Sequence, residues 1–186
     1  MGAFHSAFVS LRRLVRQNDV HILLFGPDGA GKTTILHKLS TGGASTTIMT
    51  IGVSVETIKY KKIKYDLWET GSHSGVSMLR CFADAIILVI DSTDLESVST
   101  AKTDMSRYFP EEHLKGIPLL VLATKQDLPT AADVSVITKR LEFTSKGGVE
   151  WLIYPCSGLT GEGLGEGLEW LMNTLKRLRR TGKARY

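Results

Sequence analysis

The chain has little cysteine and no long apolar run, and both shortages narrow what it can be. Its two cysteines, Cys81 and Cys156, lie far apart and in no metal-ligand spacing. A disulfide framework and a thiolate metal site are therefore not expected, and a reducing, intracellular compartment is the default. The longest apolar runs, residues 85–90 and 118–123, have strand length and fall far short of the ~20 residues that a membrane-spanning helix needs. His5, Arg12 and Arg13 interrupt the N-terminal stretch and argue against a secretory signal. Net charge is small, +4 over 186 residues, but Lys176, Arg177, Arg179, Arg180, Lys183 and Arg185 crowd the C-terminus. Such a tail is either a solvated helix end or a surface that meets an anionic membrane or an acidic partner. The length and the 42% hydrophobic content suit one domain with a single core. The expected division is 1–17 as an N-terminal segment, 18–181 as the domain and 182–186 as a tail.

The strongest signal is Gly26-Pro27-Asp28-Gly29-Ala30-Gly31-Lys32-Thr33-Thr34, which fits G-x-x-x-x-G-K-[ST]. It follows an apolar run, residues 20–25, and opens a helix-like segment in which Ile35, Leu36 and Leu39 share a face. Glycines let the backbone curl so that successive N–H groups point inward at phosphate oxygens, and the new helix adds partial positive charge at its N-terminus. Asp28, Gly29, Ala30, Gly31, Lys32, Thr33 and Thr34 thus form the expected phosphate cradle. Lys32 is placed to reach the β- and γ-phosphates, and the Thr33 hydroxyl to coordinate Mg²⁺. A Gly-rich strand-to-helix turn without function is the bland alternative, and the correct flanking elements weigh against it.

Downstream, Gly42-Gly43 stops the helix and opens a polar loop running to Thr50. Residues 53–58 and 63–68 alternate on either side of Lys61-Lys62 and read as an antiparallel hairpin. Residues 85–91 and 118–123 read as buried strands and 151–154 as a short one. Residues 97–109, residues 131–141 and the stripe Leu164, Leu168, Leu171, Leu175, Leu178 read as helices. Strands alternating with helices predict an α/β fold, a six-stranded, mostly parallel sheet with one antiparallel edge strand and helices on both faces. Ligands in such sheets bind beyond the carboxyl ends of the strands.

Thr124-Lys125-Gln126-Asp127 follows the strand ending at Ala123. The Asp127 carboxylate can accept two hydrogen bonds from the ring N–H and amino group of guanine, a pattern adenine cannot donate, while the Lys125 stem can lie over the base plane. Paired with a P-loop ~90 residues upstream, the tetrapeptide indicates guanine specificity. Ser157, Gly158 and Leu159 follow the last strand, where a backbone N–H can meet the guanine carbonyl oxygen. At the other end of the chain, Met1-Gly2-Ala3-Phe4-His5-Ser6 fits the N-myristoylation pattern, with Gly2 the acceptor. Phe4, Phe8, Leu11 and Val15 then recur at helical spacing. One acyl chain holds a membrane only marginally, and an apolar helix face can supply the second signal. A helix packed on the body of the domain is the other reading of the same spacing.

Together these motifs make the chain resemble the small GTP-binding proteins of the ADP-ribosylation factor (Arf) and Arf-like family over nearly its whole length. The likeness runs through Met1-Gly2, residues 26–34, Thr50-Ile51-Gly52, Val55-Glu56-Thr57, Asp91-Ser92-Thr93-Asp94, Lys125-Gln126-Asp127 and residues 159–164. It implies a P-loop small G-protein fold and a GTP/GDP switch that acts in membrane trafficking. Thr33 and Thr50 would hold Mg²⁺ in the GTP state, and Thr124, Lys125, Asp127 and residues 157–159 would frame the base. In that family the hairpin between the switch loops shifts register when GTP binds and expels the N-terminal helix onto the membrane. Implied partners are a guanine nucleotide, a membrane surface, an exchange factor, a GTPase-activating protein and effectors, with no nucleic acid. The implied place is the cytosolic face of a membrane, Golgi or endosomal by family analogy.

The departures from the family pattern converge on one loop. The family reads W-D-x-G-G-Q where this chain reads Trp68-Glu69-Thr70-Gly71-Ser72-His73. Glu69 is a methylene longer than the usual Asp, so a carboxylate that normally holds Mg²⁺ through water has to retract or displace that water. Ser72 replaces the glycine whose N–H meets the γ-phosphate; the donor survives, but a Cβ narrows how it can be aimed. His73 stands where the family's glutamine orients the attacking water, and a neutral imidazole can still accept a proton or hold a water. Slow intrinsic hydrolysis is expected, with His73 the candidate catalytic residue. A GTP-holding interaction protein that has lost useful hydrolysis is the alternative. Thr124 replaces the commoner Asn of the base motif, and since Thr also occurs there in Rho-type GTPases, guanine binding is expected to survive. Val53 and Cys81 replace bulkier aromatic residues beside Trp68 on the partner-facing surface, which points away from the usual effectors. A P-loop kinase is disfavoured by the Asp127 motif and by the lack of an arginine-rich lid segment.

Overall fold

The computed structural model describes residues 20–40, 46–50, 53–60, 63–70, 76, 79–143 and 149–184, without the side chains of 40, 46–66, 68–70 and 111–112. Gly2 and the rest of segment 1–17, Ser72, His73 and residues 185–186 therefore lie outside the described residues. So do the side chains of Thr50, Val53, Trp68 and Glu69.

The described elements are β1 (Val20–Phe25), α1 (Lys32–Ser40), β2 (Thr46–Thr50), β3 (Val53–Tyr60), β4 (Ile63–Thr70), β5 (Ala85–Asp91) and α2 (Leu95–Tyr108). They continue with α3 (Glu111–Leu114), β6 (Leu119–Thr124), α4 (Val134–Leu141), β7 (Trp151–Pro155) and α5 (Leu164–Arg180). The strands form one sheet in the order β2-β3-β4-β1-β5-β6-β7. β4, β1, β5, β6 and β7 pair in parallel.

β1, β5 and β6 are buried along their whole length, as central strands covered on both faces have to be. Alternation divides them between two cores. Leu23, Ile86, Leu88, Ile90 and Val121 pack with Val98, Ala101 and Met105 of α2 and Ile137 and Leu141 of α4. Ile22, Leu24, Ile87, Val89, Leu120 and Leu122 pack with Ile35 and Leu36 of α1 and with Leu168, Leu171 and Leu175 of α5. Ile86, Ile87, Leu88, Val89 and Ile90 are each at most 1% exposed. Their burial contributes on the order of 10 kcal/mol before chain entropy is set against it.

The α/β class, the parallel core and the helices on both faces are as the sequence predicts, and two details of the sheet are corrected. It has seven strands rather than six, because Thr46–Thr50, expected as polar loop, pairs antiparallel with β3 from Thr46↔Thr57 to Thr50↔Val53. Threonine counts as polar in a loop reading, yet Thr-Thr-Ile-Met-Thr is β-branched at four of five positions and suits a half-buried edge. Consequently β3, which alone runs against the others, is one strand in from the edge. Helix α2 also starts two residues earlier than its apolar spacing suggests, because the Asp94 side chain accepts from the N–H groups of Glu96 (3.0 Å) and Ser97 (3.1 Å).

Candidate functional site

The carboxyl ends of β1, β5, β6 and β7 converge on one surface. From β1 the chain curls through residues 26–31 and enters α1, whose first intrahelical bond is Ile35 N–H to Gly31 C=O at 3.0 Å. The first amides of any helix lack an acceptor within it, which makes such an N-terminus suited to an anion. Lys32 is only 7% exposed, and its Nζ donates to the carbonyls of Gly26 and Pro27, both at 2.9 Å. The ammonium thus closes the loop into a ring with a cation inside it. Asp28, Gly29, Thr33 and Thr34 are exposed on its rim, and Ala30 is buried beneath it.

The segments expected from the sequence to read the base are tied to this ring. Thr124, 2% exposed, ends β6 with its Oγ1 2.8 Å from the Ala30 carbonyl and 2.9 Å from the Ile90 carbonyl. A hydroxyl has one proton, so these two acceptors share a single donor. The Gln126 N–H donates to the Cys156 carbonyl at 3.2 Å and the Cys156 N–H to Ala123 at 2.9 Å, joining the loops after β6 and β7. Ser157 Oγ accepts from the N–H groups of Leu159 (3.2 Å) and Thr160 (3.1 Å), which shapes the second loop. Gly158 lies against α1, where a Cβ would stand 3.4 Å from Thr34 and Ile35 side-chain atoms. Asp127 is exposed on the loop after β6.

Asp91, Ser92 and Gln126 hold the site together, and motif reading gave them no role. Lys125 sits at φ 60°, a left-handed conformation that costs a non-glycine residue energy, and its Nζ meets Asp91 Oδ2 at 2.5 Å. Gln126 Nε2 donates to Ser92 Oγ (2.8 Å) and to the Ala132 carbonyl (3.2 Å). A signal for Asp91 was present, since it is a carboxylate ending an otherwise apolar buried strand, where an acid needs a partner. Burial works to raise the Asp91 carboxyl, but hydrogen bonds from Lys125 and Thr93 outweigh it and hold the group below its ordinary value of 3.8. A depressed carboxylate stabilises the fold above its unfolded pKa and loses that contribution as pH falls through the folded value. Asp91→Asn is therefore expected to lower the urea midpoint at pH 7, and the gap to the wild type to close as pH falls below 3.8. Burial also pushes the Cys156 thiol up to about 12, so it stays protonated and inert under the loop.

Register places the remaining candidates. Leu24↔Glu69 sets Glu69 on the strand beside β1, two residues before Gly26. Thr50 pairs with Val53 on the outermost strand, three strands from β1 and so roughly 14 Å to the side at 4.7–4.9 Å per strand.

A P-loop closing on its own lysine, with the end of β6 bonded to it and the loop after β7 bonded in turn to the loop after β6, defines a P-loop domain of the small G-protein type. Comparison with known proteins gives the family. The ADP-ribosylation factor family matches residues 6–175. ADP-ribosylation factor 1 of Brassica rapa subsp. pekinensis is 42% identical over 162 residues, 85% of this chain and 89% of that protein. ADP-ribosylation factor 3 of Arabidopsis thaliana is 41% identical over 85% of this chain and 89% of its own length. ADP-ribosylation factor-like protein 1 of Saccharomyces cerevisiae is 42% identical over 85% and 88%. The chain belongs to the ADP-ribosylation factor family, small GTPases that act as regulatory switches. Among the described residues no helix is long and apolar enough to cross a membrane.

Proposed function

We propose that this chain is a membrane-associated switch in vesicle or membrane trafficking, set by whether its cradle holds GTP or GDP, with slow hydrolysis of its own. The observation that carries the reading is the contact of Thr124 Oγ1 with the Ala30 carbonyl at 2.8 Å, which couples the loop that reads the base to the loop that would hold the phosphates. The amides of residues 28–34 and the Lys32 ammonium hold the phosphate chain. Thr124 and Lys125 brace the base loop, Asp127 takes the guanine edge, and residues 157–159 offer a backbone N–H to its carbonyl oxygen. The donor set suits Mg²⁺, a hard cation that needs few protein ligands because phosphates supply the rest. Thr33, Thr50 and Glu69 are the residues that would hold Mg²⁺, which would supply positive charge against the phosphates. Thr33 belongs to the cradle and Glu69 stands on the strand beside β1, whereas Thr50 joins them only if β2 leaves the sheet edge. The β2–β3 pairing therefore supports a reading in which this edge is traded against Thr50 when GTP replaces GDP, with the N-terminal helix and its Gly2 acyl chain as output.

His73 is the residue proposed to place the attacking water, and the Ser72 N–H the donor proposed to meet the γ-phosphate. An imidazole orients water through one nitrogen, where glutamine has an acceptor and a donor side by side. In single-turnover assays His73→Gln is expected to raise GTP hydrolysis about tenfold, since water orientation carries much of catalysis in this class. An unchanged rate, together with nucleotide affinity indifferent to Mg²⁺, overturns the switch reading. Glu69, Ser72 and His73 together favour the second reading, a GTP-holding interaction protein, and failure of both proteins to hydrolyse GTP while binding it tightly would select it. Regulators and effectors act on this surface in either case.

A further inference from the structure

At the end of the sheet away from the cradle, the last two turns of α2, the segment after it and the end of α4 enclose a recess of about 250 Å³. Leu119 and Trp151, which open β6 and β7, line it as well. Its walls are core side chains, with Met105, Phe109, Leu119 and Leu141 each at most 3% exposed. Phe143 and Trp151 are only half-buried, and their rings meet edge to face with centroids 5.7 Å apart. An apolar recess left empty forfeits the contacts that close packing gives the rest of a core.

The recess shares Lys102, Ser106 and Glu142 with a polar groove that also carries Ser99, Thr103 and Arg140. Glu142 ends α4 with a left-handed backbone, φ 51°, a position that glycine or asparagine usually takes. What glutamate adds is a carboxylate that meets Lys102 Nζ at 2.8 Å and ties α4 to α2. Arg140 Nε donates to Ser99 Oγ at 2.9 Å, and its guanidinium has no acidic partner among the described residues. The hydroxyls of Ser99, Thr103 and Ser106 donate to helix carbonyls one turn back, so the donors open to a ligand are those of the two cations. Lys102 and Arg140 against Glu142 leave one positive charge without a counterpart beside an apolar hole. An ammonium has three donors, so Lys102 can hold Glu142 and a second anion at once.

We propose that recess and groove together bind a small amphipathic carboxylate, with its bicyclic aryl body in the recess and its carboxylate on Arg140 and Lys102. A cavity of about 150 Å³ takes a benzene ring, so one of about 250 Å³ takes roughly two fused rings. Phe143 and Trp151 offer such a body ring edges and faces, and the guanidinium fork matches a carboxylate with two parallel N–H bonds. A small molecule is favoured over a protein partner because the apolar atoms are recessed rather than displayed. The exposed large hydrophobics among the described residues are Leu128, Val136 and Leu159, and none of them lines the recess. The nucleotide cradle leaves the opposite ends of these parallel strands, so occupancy of the recess does not depend on the switch reading above.

The test is calorimetry on the full-length protein with GDP present, titrated with 2-naphthylacetate and with its uncharged counterpart 2-(2-naphthyl)ethanol. The wild type is expected to bind the acid with a sub-millimolar Kd and about tenfold more tightly than the alcohol, the difference a charge-assisted contact makes. Arg140→Ala is expected to weaken the acid about tenfold and to leave the alcohol unchanged, a split that a merely structural role would not produce. Ser106→Phe, at an exposed position of α2, is expected to plug the recess and remove binding of both probes while GDP binds as before. Failure of the acid to bind the wild type, equal binding of acid and alcohol, or an undiminished preference for the acid in Arg140→Ala overturns the proposal. So does undiminished binding of both probes by a folded Ser106→Phe protein. A short peptide with tryptophan beside aspartate that binds where the naphthyl acid does not assigns the recess to a protein partner and also overturns it.

Discussion

Asp127→Asn is expected to turn the base preference of this chain from guanine to xanthine. Asp127 is exposed and accepts no hydrogen bond from any described residue, so its carboxylate is available to a ligand. The loop that carries it is fixed on three sides, by Thr124 Oγ1 at the P-loop, by Lys125 on Asp91 and by the Gln126 N–H on Cys156. A carboxylate has only acceptors, and guanine offers it two donors, the ring N–H and the amino group. Asparagine has one acceptor and a donor, which suits xanthine, where a carbonyl replaces the amino group. Hydrogen bonds to a charged group contribute about 1.5–3 kcal/mol each, so losing this pair weakens guanine nucleotide binding by roughly 10²–10⁴-fold. Competition calorimetry with Mg²⁺ present, using GDP and xanthosine diphosphate against wild type and variant, measures it. A GDP affinity within a few-fold of the wild type would show that Asp127 does not read the base.

The cradle was legible because its chemistry is local. Residues 26–34 carry their own backbone instructions, and apolar runs of strand length on either side of helical periodicity place them at a strand end without further information. What escaped is long-range. Nothing local in Thr46–Thr50 says that β3 will accept it as an edge, since the pairing depends on a partner whose own register is set by β4. Threonine's polarity and its β-branching also pull the reading in opposite directions. Asp91 and Gln126 were visible as residues but not as braces, because their partners lie 34 positions away from them in sequence. Thr124 shows the same limit more sharply. As a substitution for asparagine it looks mild, yet its single proton is shared between the carbonyls of Ala30 and Ile90, where an amide would bring two donors. Only the assembled fold shows that the substitution falls on the contact between the end of β6 and the loop of residues 26–31.

Gly26→Ala is expected to destabilise the protein by on the order of 3–5 kcal/mol, combining backbone strain with an overpacked contact. Gly26 sits at φ 149°, and a Cβ there would stand 2.2 Å from the Val89 carbonyl oxygen and 3.1 Å from its carbon. Val89 belongs to the buried centre of the sheet and is paired with Leu122, so its backbone cannot retreat without opening the β5–β6 ladder. The chain can leave β1 and curl into the cradle only by crossing that carbonyl with no side chain. Gly29 supplies the control. It is also left-handed, at φ 75°, but a Cβ there meets nothing within 4 Å. Gly29→Ala should therefore cost only the left-handed penalty of about 1–2 kcal/mol and leave the fold intact. Urea midpoints of the two variants separate the effects, and equal losses would mean that the approach to Val89 is not what requires glycine. Because total stability is typically about 5–15 kcal/mol, Gly26→Ala should yield little folded protein, and GDP at about a hundred times its Kd should restore only some 2.7 kcal/mol. That rescue requires the variant's cradle to close around the nucleotide. Its absence in Gly26→Ala alongside its presence in Gly29→Ala would place the damage in the path from β1 to the phosphates, where the Val89 carbonyl stands.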